Sequence, residues 1–477
     1  MAHIQQVPTA PLPTERFKGV LDPDRYQSFV DKILVARRIL DGRVVYNVNS
    51  TARGGGVAEM LQSLIPYARG AGVAAQWLVI GGDPGFFAIT KRIHNRLHGA
   101  AGDGGELGDE ERAVYETALQ ANAEELKKIV TDKDVVMLHD PQTAGLTRPL
   151  KEIGATVIWR CHVGVDMPNK LARDAWRFLI PFVEKADAIV FSREAFEWEG
   201  LDSSRLTVIH PSIDAFSPKN QDMEPDTVRS ILSATGLTAG GAAGEPAFVR
   251  IDGSHALVER KASYEDGGPP PPPHARLVVQ VSRWDRLKDP IGVIDGFARV
   301  VAPGSDAHLV VAGPAVAAVS DDPEGAEVLA EARRVWATLP DDIGARVHLA
   351  TLPMDDGEEN AAIVNALQRR ADIIVQKSLA EGFGLTVAEG MWKGRPVVAS
   401  RIGGIQDQIS HGETGILIDD PTNLDSYGRA VVDLLKDRER AERIGTAAKE
   451  RVRDGFLGPR HLMQYVDLFS ELLENRH

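Results

Sequence analysis

The chain has 477 residues, of which 43% are hydrophobic and 26% charged, so it is long enough for more than one hydrophobic core and has an ordinary globular composition. Its formal net charge of -14 argues against binding to nucleic acid or to an anionic membrane surface, because both attract clustered Lys and Arg. The single cysteine, Cys161, excludes an intramolecular disulfide and fits a reducing compartment, and we expect neither a signal peptide nor a transmembrane helix. These features predict a cytoplasmic protein.

The first half of the chain alternates short runs rich in Val and Ile with longer amphipathic stretches, which is the pattern of βα units around a parallel sheet. The predicted strands are 44–48, 75–80, 135–138, 156–160, 188–191 and 206–209. We expect them to form one doubly wound, Rossmann-like α/β domain over residues 1–215, with its ligand site beyond the carboxyl ends of the strands. The Pro-containing turn at 214–218 is the predicted hinge.

A second series of the same alternation predicts a second doubly wound domain over residues 216–455. Its predicted strands are 277–281, 308–312, 347–350, 373–376 and 396–399. Residues 239–274 differ, because they are rich in Gly and Ala and end in a proline run that cannot join a helix or a central strand. They predict a flexible, exposed insertion. The amphipathic C-terminal segment, 456–477, predicts a helix.

A Gly-rich turn follows the first of these predicted strands. Residues 49–57 read Asn-Ser-Thr-Ala-Arg-Gly-Gly-Gly-Val, and helical periodicity begins at Ala58. A strand, a Gly-rich turn and a helix N-terminus together expose backbone N–H groups to an anion or a sugar hydroxyl. The spacing is that of neither a dinucleotide-binding loop nor an ATP-binding loop. We predict that Gly54, Gly55 and Gly56 contact a ligand, with an ordinary tight turn as the alternative.

Two cations follow the predicted strand 277–281. Arg283 and Lys288 both lie in the loop that runs to Pro290, at the strand's carboxyl end. An Arg fork and a mobile Lys charge suit a diphosphate and can neutralise negative charge on a departing nucleoside diphosphate. The alternative is a pair of ordinary surface cations.

The most informative motif is Glu-Gly-Phe-Gly-Leu-Thr-Val-Ala-Glu, from Glu381 to Glu389, after the predicted strand 373–376. If a helix begins near Gly384, the second carboxylate lies about two turns beyond the first, and both can face one cleft. The two glycines allow a sugar to approach the backbone, where the N–H groups of residues 383–385 can meet sugar or phosphate oxygens. This pattern predicts a nucleotide-sugar donor site.

Together these motifs resemble the large retaining glycosyltransferase family four, and in particular its trehalose synthases. The resemblance covers nearly the whole chain. It is carried by the motifs above together with segments 49–59, 139–142, 159–162, 211–214 and 381–394. It implies the GT-B fold, in which two Rossmann-like domains face a central cleft, with the C-terminal helix 456–477 packing back on the N-terminal domain.

The resemblance also implies an activity. Such enzymes transfer glucose from a nucleoside diphosphate glucose, such as UDP-glucose or ADP-glucose, to free glucose and form α,α-trehalose with retention of configuration. Double displacement needs a carboxylate nucleophile beside the anomeric carbon, and none stands out in the sequence. The resemblance implies front-face substitution instead. In that mechanism the leaving phosphate oxygen takes the acceptor proton. A homodimer is implied as well.

Individual roles follow from the same resemblance. The N-terminal domain would bind the acceptor and the C-terminal domain the donor. His162, Arg283, Lys288 and Glu381 would be the catalytic residues. Donor binding is assigned to Gly55, Gly56, Arg283, Lys288, Phe383, Gly384, Leu385 and Glu389, and acceptor binding to Asn49, Asp140, Gln142 and His162.

The sequence predicts no metal site and no tightly bound cofactor, although Mg²⁺ accompanying the diphosphate is left open. There is no His/Cys cluster with zinc spacing. The pair Asp132 and Asp134 precedes a strand and so lies at the wrong end of the sheet. The pairs Asp321-Asp322 and Asp355-Asp356 are interpreted as solvated surface.

Three alternatives remain at this stage. The first is a retaining trehalose phosphorylase, which would need inorganic phosphate in place of the nucleotide. The second is a family member with another acceptor, such as a sugar phosphate or glycerate. The third is a non-catalytic module that binds nucleotide sugars. The nucleotide base, the preferred direction of reaction and the role of the insertion also stay open.

Overall fold

The chain divides into two compact units. The computed structural model describes residues 4–52, 55–241, 244–265, 268–315 and 323–474. Unit 1 comprises Met1–Ser212 with Phe456–His477, and unit 2 comprises Ile213–Gly455. The division falls at Ser212, next to the boundary at 215 that the sequence predicts.

Unit 1 is built on a parallel sheet. Its strands are β1 (Gln5–Val7), β2 (Val45–Asn49), β3 (Ala75–Val79), β4 (Val135–His139), β5 (Thr156–Cys161), β6 (Ala188–Phe191) and β7 (Leu206–Val208). Within the described residues they form a seven-stranded sheet in the order β1-β3-β2-β4-β5-β6-β7, with only β1 antiparallel to its neighbour. Every residue of β2, β4 and β5 is buried, as expected for strands covered on both faces. The carboxyl ends of β4 and β5 are therefore neighbours.

Unit 2 repeats this architecture. Its strands are β8 (Ala247–Val249), β9 (His255–Leu257), β10 (Ser263–Tyr264), β11 (Leu277–Val281), β12 (His308–Pro314), β13 (Val347–Leu352), β14 (Ile373–Gln376), β15 (Val397–Ser400) and β16 (Ile416–Ile418). In the described part of unit 2, the main sheet has seven strands in the order β10-β13-β12-β11-β14-β15-β16, with only β10 antiparallel. The predicted fold class, two doubly wound α/β domains, is confirmed.

The prediction of a flexible, exposed insertion at 239–274 is wrong in part, because residues within it form three short strands. Strands β8 and β9 form a small antiparallel pair, and β10 pairs with the edge of the main sheet. Phe248 is only 3% exposed, and the hydroxyl of Tyr264 donates a 2.7 Å hydrogen bond to the carbonyl of Leu237. The prediction of an exposed loop rested on the Gly and Pro content, and it missed the short apolar runs between them.

The helices pack around both sheets. They are α1 (Pro23–Ile39), α2 (Gly56–Gly70), α3 (Pro84–Leu97), α4 (Asp109–Leu126), α5 (Asp140–Thr143), α6 (Thr147–Glu152), α7 (Lys170–Val183), α8 (Pro225–Thr235), α9 (Pro290–Gly296), α10 (Ala302–Gly304), α11 (Pro323–Trp336), α12 (Asp341–Gly344), α13 (Gly357–Arg370), α14 (Leu385–Trp392), α15 (Ile405–Gln408), α16 (Leu424–Lys436), α17 (Arg438–Gly455) and α18 (Gly458–Glu474). A π-helical turn, Phe297–Val301, joins α9 to α10. None of the described helices is both long enough and apolar enough to cross a membrane.

The last helix, α18, completes the core of unit 1. Its apolar side chains Tyr465, Leu468, Phe469 and Leu473 are buried against side chains of β2, β4, β5 and β6. Burial of such a side chain contributes roughly 1.5–3 kcal/mol, so removal of the helix would uncover one face of the sheet at a large cost. The C-terminal helix therefore shares one hydrophobic core with strands from the first half of the chain.

Candidate active site

Asp140 links the carboxyl ends of two neighbouring strands in unit 1, β4 and β5, through a hydrogen bond. It follows β4 directly, and its backbone is left-handed with a φ of 64°, which is uncommon for a residue other than Gly. Its Oδ1 accepts a 2.8 Å hydrogen bond from the backbone N–H of His162, which follows β5. Burial raises the pKa of the Asp140 carboxyl to about 7. The structure thus brings together two residues that the sequence assigns to the acceptor site.

The imidazole of His162 belongs to a chain of polar side chains. Its Nε2 lies 3.1 Å from Nδ1 of His139, and the two rings are stacked with their centroids 5.4 Å apart. Nε2 of His139 lies 3.1 Å from Oδ1 of Asn47 in β2. Burial and the nearby charge of Arg160 lower the pKa of His162 well below its ordinary value and that of His139 to about 3. Both rings are therefore uncharged at neutral pH.

Arg160, in β5, contacts the candidate acceptor residue His162, and the sequence did not point to it. It is completely buried, and its Nε contacts the His162 ring at 3.2 Å from Nε2 and 3.4 Å from Nδ1. Its other nitrogens donate to the carbonyl of Ile209, at 2.9 Å, and to the hydroxyl of Tyr465 in α18. No carboxylate of the described residues forms an ion pair with it within 4.0 Å. The signal in the sequence is a charged residue within a strand that is buried along its whole length.

The Gly-rich turn after β2 begins α2. Gly55 precedes the helix with a φ of 80°, a value that an L side chain rarely adopts, and Gly56 is its first residue. Gly54 lies outside the described residues. Asn49 is only 4% exposed, and its amide already has two partners within unit 1. Its Oδ1 accepts a hydrogen bond from Trp77 Nε1 in β3 at 2.8 Å, and its Nδ2 donates to the carbonyl of Thr51 at 2.7 Å. These two bonds hold the Asn49 amide in place, so an acceptor can use only its remaining hydrogen-bonding capacity.

Gln142 lies in α5, two residues beyond Asp140, and is half-buried. Its side chain makes no hydrogen bond to another described residue. Its place at the carboxyl end of β4 keeps it beside Asp140, where the sequence predicts acceptor contacts.

In unit 2, the loop after β11 holds Lys288 close to a carboxylate. Nζ of Lys288 lies 2.5 Å from Oε2 of Glu381, and the two side chains are 18% and 11% exposed. The backbone carbonyl of Lys288 accepts a 2.8 Å hydrogen bond from Nε2 of Gln280 in β11. The following residue, Asp289, caps α9 in a left-handed conformation and forms an ion pair with the buried Lys377. The backbone of Lys288 and the side chain of Asp289 are therefore both held by contacts within unit 2, which positions the Lys288 side chain.

Arg283 has a looser position in the same loop. Its side chain is 67% exposed and its Nη2 lies 3.1 Å from Oδ2 of Asp285. The other oxygen of Asp285 accepts a 2.8 Å hydrogen bond from the backbone N–H of Leu287. An exposed cation of this kind can turn toward a diphosphate at little cost, because exposed ion pairs contribute little to stability.

The turn between Glu381 and α14 is tightly packed. Gly384 has a φ of 83°, and a Cβ there would lie 3.0 Å from Ile405 Cγ1 and 3.2 Å from Glu381 Cγ. The carbonyl of Phe383 accepts a 2.6 Å hydrogen bond from Nε2 of Gln408 in α15. Leu385 then begins α14, so the first backbone N–H groups of that helix lie directly after the turn. Such a helix N-terminus favours phosphate or sugar oxygens.

Glu389 lies within α14 and is only 3% exposed. Its Oε1 is 3.4 Å from Nζ of Lys219, which belongs to the segment that follows the predicted hinge. The same segment is attached to the end of α14, since the indole of Trp392 donates to the carbonyl of Asn220 at 3.1 Å and Lys393 donates to its amide oxygen at 2.8 Å. Glu389 and Lys219 therefore form a partly buried ion pair.

The described residues contain no group of three or more His, Cys, Asp or Glu side chains that could hold a metal ion. Asp321 and Asp322 lie outside the described residues. The interpretation of Asp355-Asp356 as solvated surface is wrong for Asp356, which caps α13 and pairs with Arg250, so that its pKa is lowered to about 2. Asp134 is buried and accepts a 2.8 Å hydrogen bond from the backbone N–H of Val44, so its role is structural.

Comparison with known proteins places the chain in a family. A family model described as "Trehalose synthase, N-terminal domain" matches residues 47–197, and another described as "Glycosyl transferases group 1" matches residues 353–451. Trehalose synthase from Rubrobacter xylanophilus is 37% identical over 437 residues, which cover 91% of this chain and 92% of that one. The chain belongs to the trehalose synthase family.

The trehalose synthase family consists of glycosyltransferases, and the predicted GT-B fold is confirmed. Sucrose-phosphate synthase from Thermosynechococcus elongatus has a similar structure, with a TM-score of 0.62 over 91% of this chain and 100% of that chain, at 16% identity. A trehalose phosphorylase from Grifola frondosa is a more distant relative, 25% identical over 430 residues that cover 85% of this chain and 54% of that one. Trehalose phosphorylase, one of the alternatives that the sequence left open, is therefore also among the relatives, but at lower identity and coverage.

Proposed function

We propose that this protein is a retaining glycosyltransferase that moves glucose from a nucleoside diphosphate glucose to free glucose and so forms α,α-trehalose. The observation that carries the proposal is the pair of Lys288 and Glu381 at the turn before α14, in a chain that is 37% identical to a trehalose synthase over 437 residues. A diphosphate can replace Glu381 as the partner of Lys288, which leaves the carboxylate to accept hydrogen bonds from sugar hydroxyls.

The donor residues are proposed to act as follows. Lys288 and Arg283 bind the diphosphate, and Glu381 binds the hydroxyls of the donor glucose. The backbone of Phe383, Gly384 and Leu385 contacts donor oxygens, and Glu389 accepts from the ribose. Gly55 and Gly56 contribute backbone N–H groups to the same donor. The support is that a cation from the loop after β11 pairs with a carboxylate that directly precedes the N-terminus of α14, all within unit 2.

The acceptor residues are proposed to lie in unit 1. Asp140 and Gln142 receive hydroxyl groups of the acceptor glucose, with Asn49 at the Gly-rich turn and His162 beside the reacting hydroxyl. Support comes from the bond between Asp140 and the backbone of His162, which fixes both residues at the carboxyl edge of the sheet. Ligands of doubly wound domains bind at that edge.

The chemistry proposed is front-face substitution. The bond between the anomeric carbon of the donor glucose and the phosphate oxygen breaks, and the anomeric hydroxyl oxygen of the acceptor bonds to that carbon from the same face. The proton of the acceptor hydroxyl passes to the departing phosphate oxygen. Lys288 and Arg283 stabilise the charge that develops there, and positioning replaces a protein nucleophile. The products are trehalose and a nucleoside diphosphate.

No resident cofactor is needed for this reaction. We expect Mg²⁺, where it takes part, to arrive with the diphosphate, because the described residues offer no cluster of metal ligands. A homodimer in the cytoplasm remains our expectation for its assembly and location.

One assay tests the proposal. The purified protein is incubated with free glucose and, in turn, UDP-glucose, ADP-glucose, GDP-glucose and TDP-glucose, and the product is analysed by NMR of its anomeric protons. We expect an α,α-1,1 linkage with at least one donor. Turnover only with another acceptor, such as a sugar phosphate or glycerate, would refute trehalose formation and leave the glycosyltransferase assignment intact.

A parallel reaction separates the phosphorylase alternative. Trehalose and inorganic phosphate are supplied without any nucleotide, and glucose 1-phosphate is measured. We expect none. Formation of glucose 1-phosphate at a rate comparable to that of the donor reaction would replace the proposal with phosphorolysis, and binding of nucleotide sugars without either turnover would indicate a non-catalytic module.

A further inference from the structure

Two segments of unit 2, which follow the neighbouring strands β11 and β14, are joined by three contacts. The contacts are an ion pair of Lys377 with Asp289, a 2.7 Å hydrogen bond from the backbone N–H of Leu379 to the carbonyl of Leu287, and the pair of Lys288 with Glu381. The last contact belongs to the candidate donor residues. The ion pair has no role in the site as described so far.

Lys377 follows β14 directly, and its side chain is only 1% exposed. Its ammonium group has two partners among the described residues, the carboxylate of Asp289 and the carbonyl of Pro421 at 2.6 Å. Pro421 lies in the turn between β16 and α16. Lys377 therefore connects segments that follow three strands of one parallel sheet. With so little exposure, it can affect a ligand only through another residue.

Asp289 directly follows Lys288 and has an unusual backbone conformation. Its φ of 49° lies in the left-handed region, which side chains other than those of Asn and Asp rarely adopt. Both oxygens of its carboxylate are used: Oδ1 accepts a 3.0 Å hydrogen bond from the backbone N–H of Gly292, and Oδ2 pairs with Lys377. A Cβ added at Gly292 would collide with this carboxylate. The residue after Lys288 is thus held in place through its side chain.

The two charges of this ion pair depend on each other. Within the described part of the chain, no other cation lies within 4.0 Å of the Asp289 carboxylate and no other carboxylate within 4.0 Å of Lys377 Nζ. Tyr427 stays neutral, because burial and the charge of Asp289 raise its pKa above the usual value. Removal of one partner leaves an uncompensated buried charge, which is strongly destabilising, whereas replacement of both partners is tolerated far better.

The backbone of Lys288 is held from two directions. Its carbonyl accepts a 2.8 Å hydrogen bond from Nε2 of Gln280, and the next residue is the anchored Asp289. The lysine side chain is a flexible four-carbon stem, so the position of its backbone decides which groups the ammonium can reach. At present it reaches Oε2 of Glu381, at 2.5 Å. A shift of Asp289 would move this ammonium group.

We propose that Lys377 is a positioning residue that, through its ion pair with Asp289, holds the backbone of Lys288 so that the Lys288 ammonium group faces the diphosphate of the donor. The identity of that ligand rests on the proposed function, whereas the coupling of Lys377 to the loop does not. When the diphosphate replaces Glu381 as the partner of Lys288, the loop loses one of its three contacts. The other two still hold it in place.

Hydrogen–deuterium exchange of the full chain tests the coupling without any ligand. Peptides that cover residues 285–292 report on the loop and on the start of α9, and the midpoint of urea denaturation reports on the stability of the whole protein. We expect Lys377→Met to lower this midpoint and to remove most of the protection of these peptides, because the ion pair that holds the loop is lost. Unchanged protection of 285–292 would overturn the proposal.

A double variant separates the loop from general stability. Lys377→Met combined with Asp289→Asn removes both charges, keeps an oxygen for the N–H group of Gly292, and keeps a residue that tolerates the left-handed backbone. We expect the denaturation midpoint to recover toward that of the parent protein, while peptides covering 285–292 stay less protected. Recovery of both would overturn the proposal. So would a double variant that does not fold, since the ion pair would then be needed for folding itself.

Lys151 supplies a matched control from unit 1. Its Nζ lies 2.7 Å from Oδ1 of Asp187, which directly precedes β6 and so lies at the amino end of that strand. The two side chains are 26% and 23% exposed, so this pair is partly buried too. We expect Lys151→Met to lower the denaturation midpoint without changing the exchange of 285–292 or kcat. Loss of protection at 285–292 would show that exchange there follows general stability, and the coupling would be withdrawn.

Kinetics adds a readout that a purely structural role would not change. For the double variant we expect kcat to fall about 100-fold, the scale seen when a reacting group is misplaced by about 1 Å, with KM for glucose unchanged. A normal kcat in this variant would show that the ion pair serves only folding. In a Lys288→Met background, the same double change is expected to lower kcat no further, because Lys377 acts through Lys288. A second fall of similar size would contradict that route.

Failure of the proposed function has a different outcome. If the parent protein forms no trehalose with any nucleoside diphosphate glucose, the activity is refuted, and the exchange of 285–292 in the two variants still decides whether Lys377 holds the loop. If trehalose is formed and the double variant keeps the kcat of the parent, the proposed function stands and the role of Lys377 is refuted.

Discussion

The ammonium nitrogen of Lys288 lies 2.5 Å from Oε2 of Glu381, although 93 positions of the chain separate the two residues. We expect Lys288→Met to lower kcat about 100- to 1000-fold, because one preorganised donor to a developing oxyanion contributes that much. Steady-state kinetics with the active nucleoside diphosphate glucose measures the loss.

Arg286→Met is the matched control, since Arg286 belongs to the same loop but pairs with Glu331 at 2.6 Å, away from Glu381. It is expected to keep nearly full activity. Equal losses in the two variants would show that the loop needs positive charge in general, and the specific role of Lys288 would be withdrawn.

Glu389 provides the second prediction. We expect Glu389→Ala to weaken binding of the nucleoside diphosphate glucose about 10- to 100-fold, since a hydrogen bond to a charged group contributes about 1.5–3 kcal/mol. Isothermal titration calorimetry measures the affinity. Unchanged binding would remove the ribose assignment.

Lys219→Met separates two explanations of that loss, because Lys219 is the ion-pair partner of Glu389 at 3.4 Å. If Glu389 binds ribose, the lysine variant retains most of the affinity. If the ion pair only holds α14 against the segment around Asn220, both variants lose affinity equally.

Gly384 provides the third prediction. An alanine here must adopt a φ of 83° and place its Cβ 3.0 Å from Ile405 Cγ1. We expect Gly384→Ala to lower the free energy of unfolding by about 1–2 kcal/mol from the left-handed backbone alone, and to weaken donor binding because Glu381 lies 3.2 Å away. Urea denaturation and calorimetry measure the two effects.

Gly236→Ala is the control for backbone strain. Gly236 has a φ of 79°, and a Cβ added there would have no neighbouring atom within 4 Å, so the same strain arises without crowding. We expect a similar loss of stability with normal donor binding. Weakened donor binding in both variants would be evidence against a local role of Gly384.

The positions of the candidate donor residues could be predicted from the sequence because most of them are close together in one local motif. Glu381, Gly384 and Glu389 lie in one strand-turn-helix segment, and the spacing of that segment fixes where the helix begins. Lys288 is distant in sequence, but it follows another strand of the same parallel sheet. The rule that parallel strands end at one edge was enough to bring Lys288 and Glu381 together.

The side-chain contacts of the candidate acceptor residues could be predicted only in part, because they depend on tertiary packing. No local pattern indicates that Arg160 is held by Tyr465, since 305 positions separate them. Asn49 was assigned to the acceptor, whereas most of its amide is used by Trp77 and Thr51. Side-chain partners of this kind depend on which helix covers the sheet, and pattern alone did not establish that α18 does so in unit 1.

Asp140 gives a prediction about pH. Burial raises its pKa to about 7 in the folded chain, above the value of about 3.9 for an unfolded aspartate. Between these values the folded state binds more protons than the unfolded state, so this carboxyl makes stability fall as the pH rises from about 4 to about 7, with no further change above. Asp140→Asn removes this contribution, keeps an oxygen to accept from His162, and suits a φ of 64°.

We therefore expect Asp140→Asn to gain stability relative to the parent protein between about pH 4 and about pH 7, and to keep a constant advantage above that range. Urea denaturation midpoints of both proteins at intervals of pH measure the difference. The matched control is Asp132→Asn, which changes an exposed residue just before the N-terminal end of β4. For this control we expect no stability advantage over the parent that grows up to about pH 7. If the stability advantage of Asp140→Asn shrinks as the pH rises, the prediction is wrong. That result would show that the hydrogen bond from the backbone N–H of His162 stabilises the Asp140 carboxylate more than burial destabilises it.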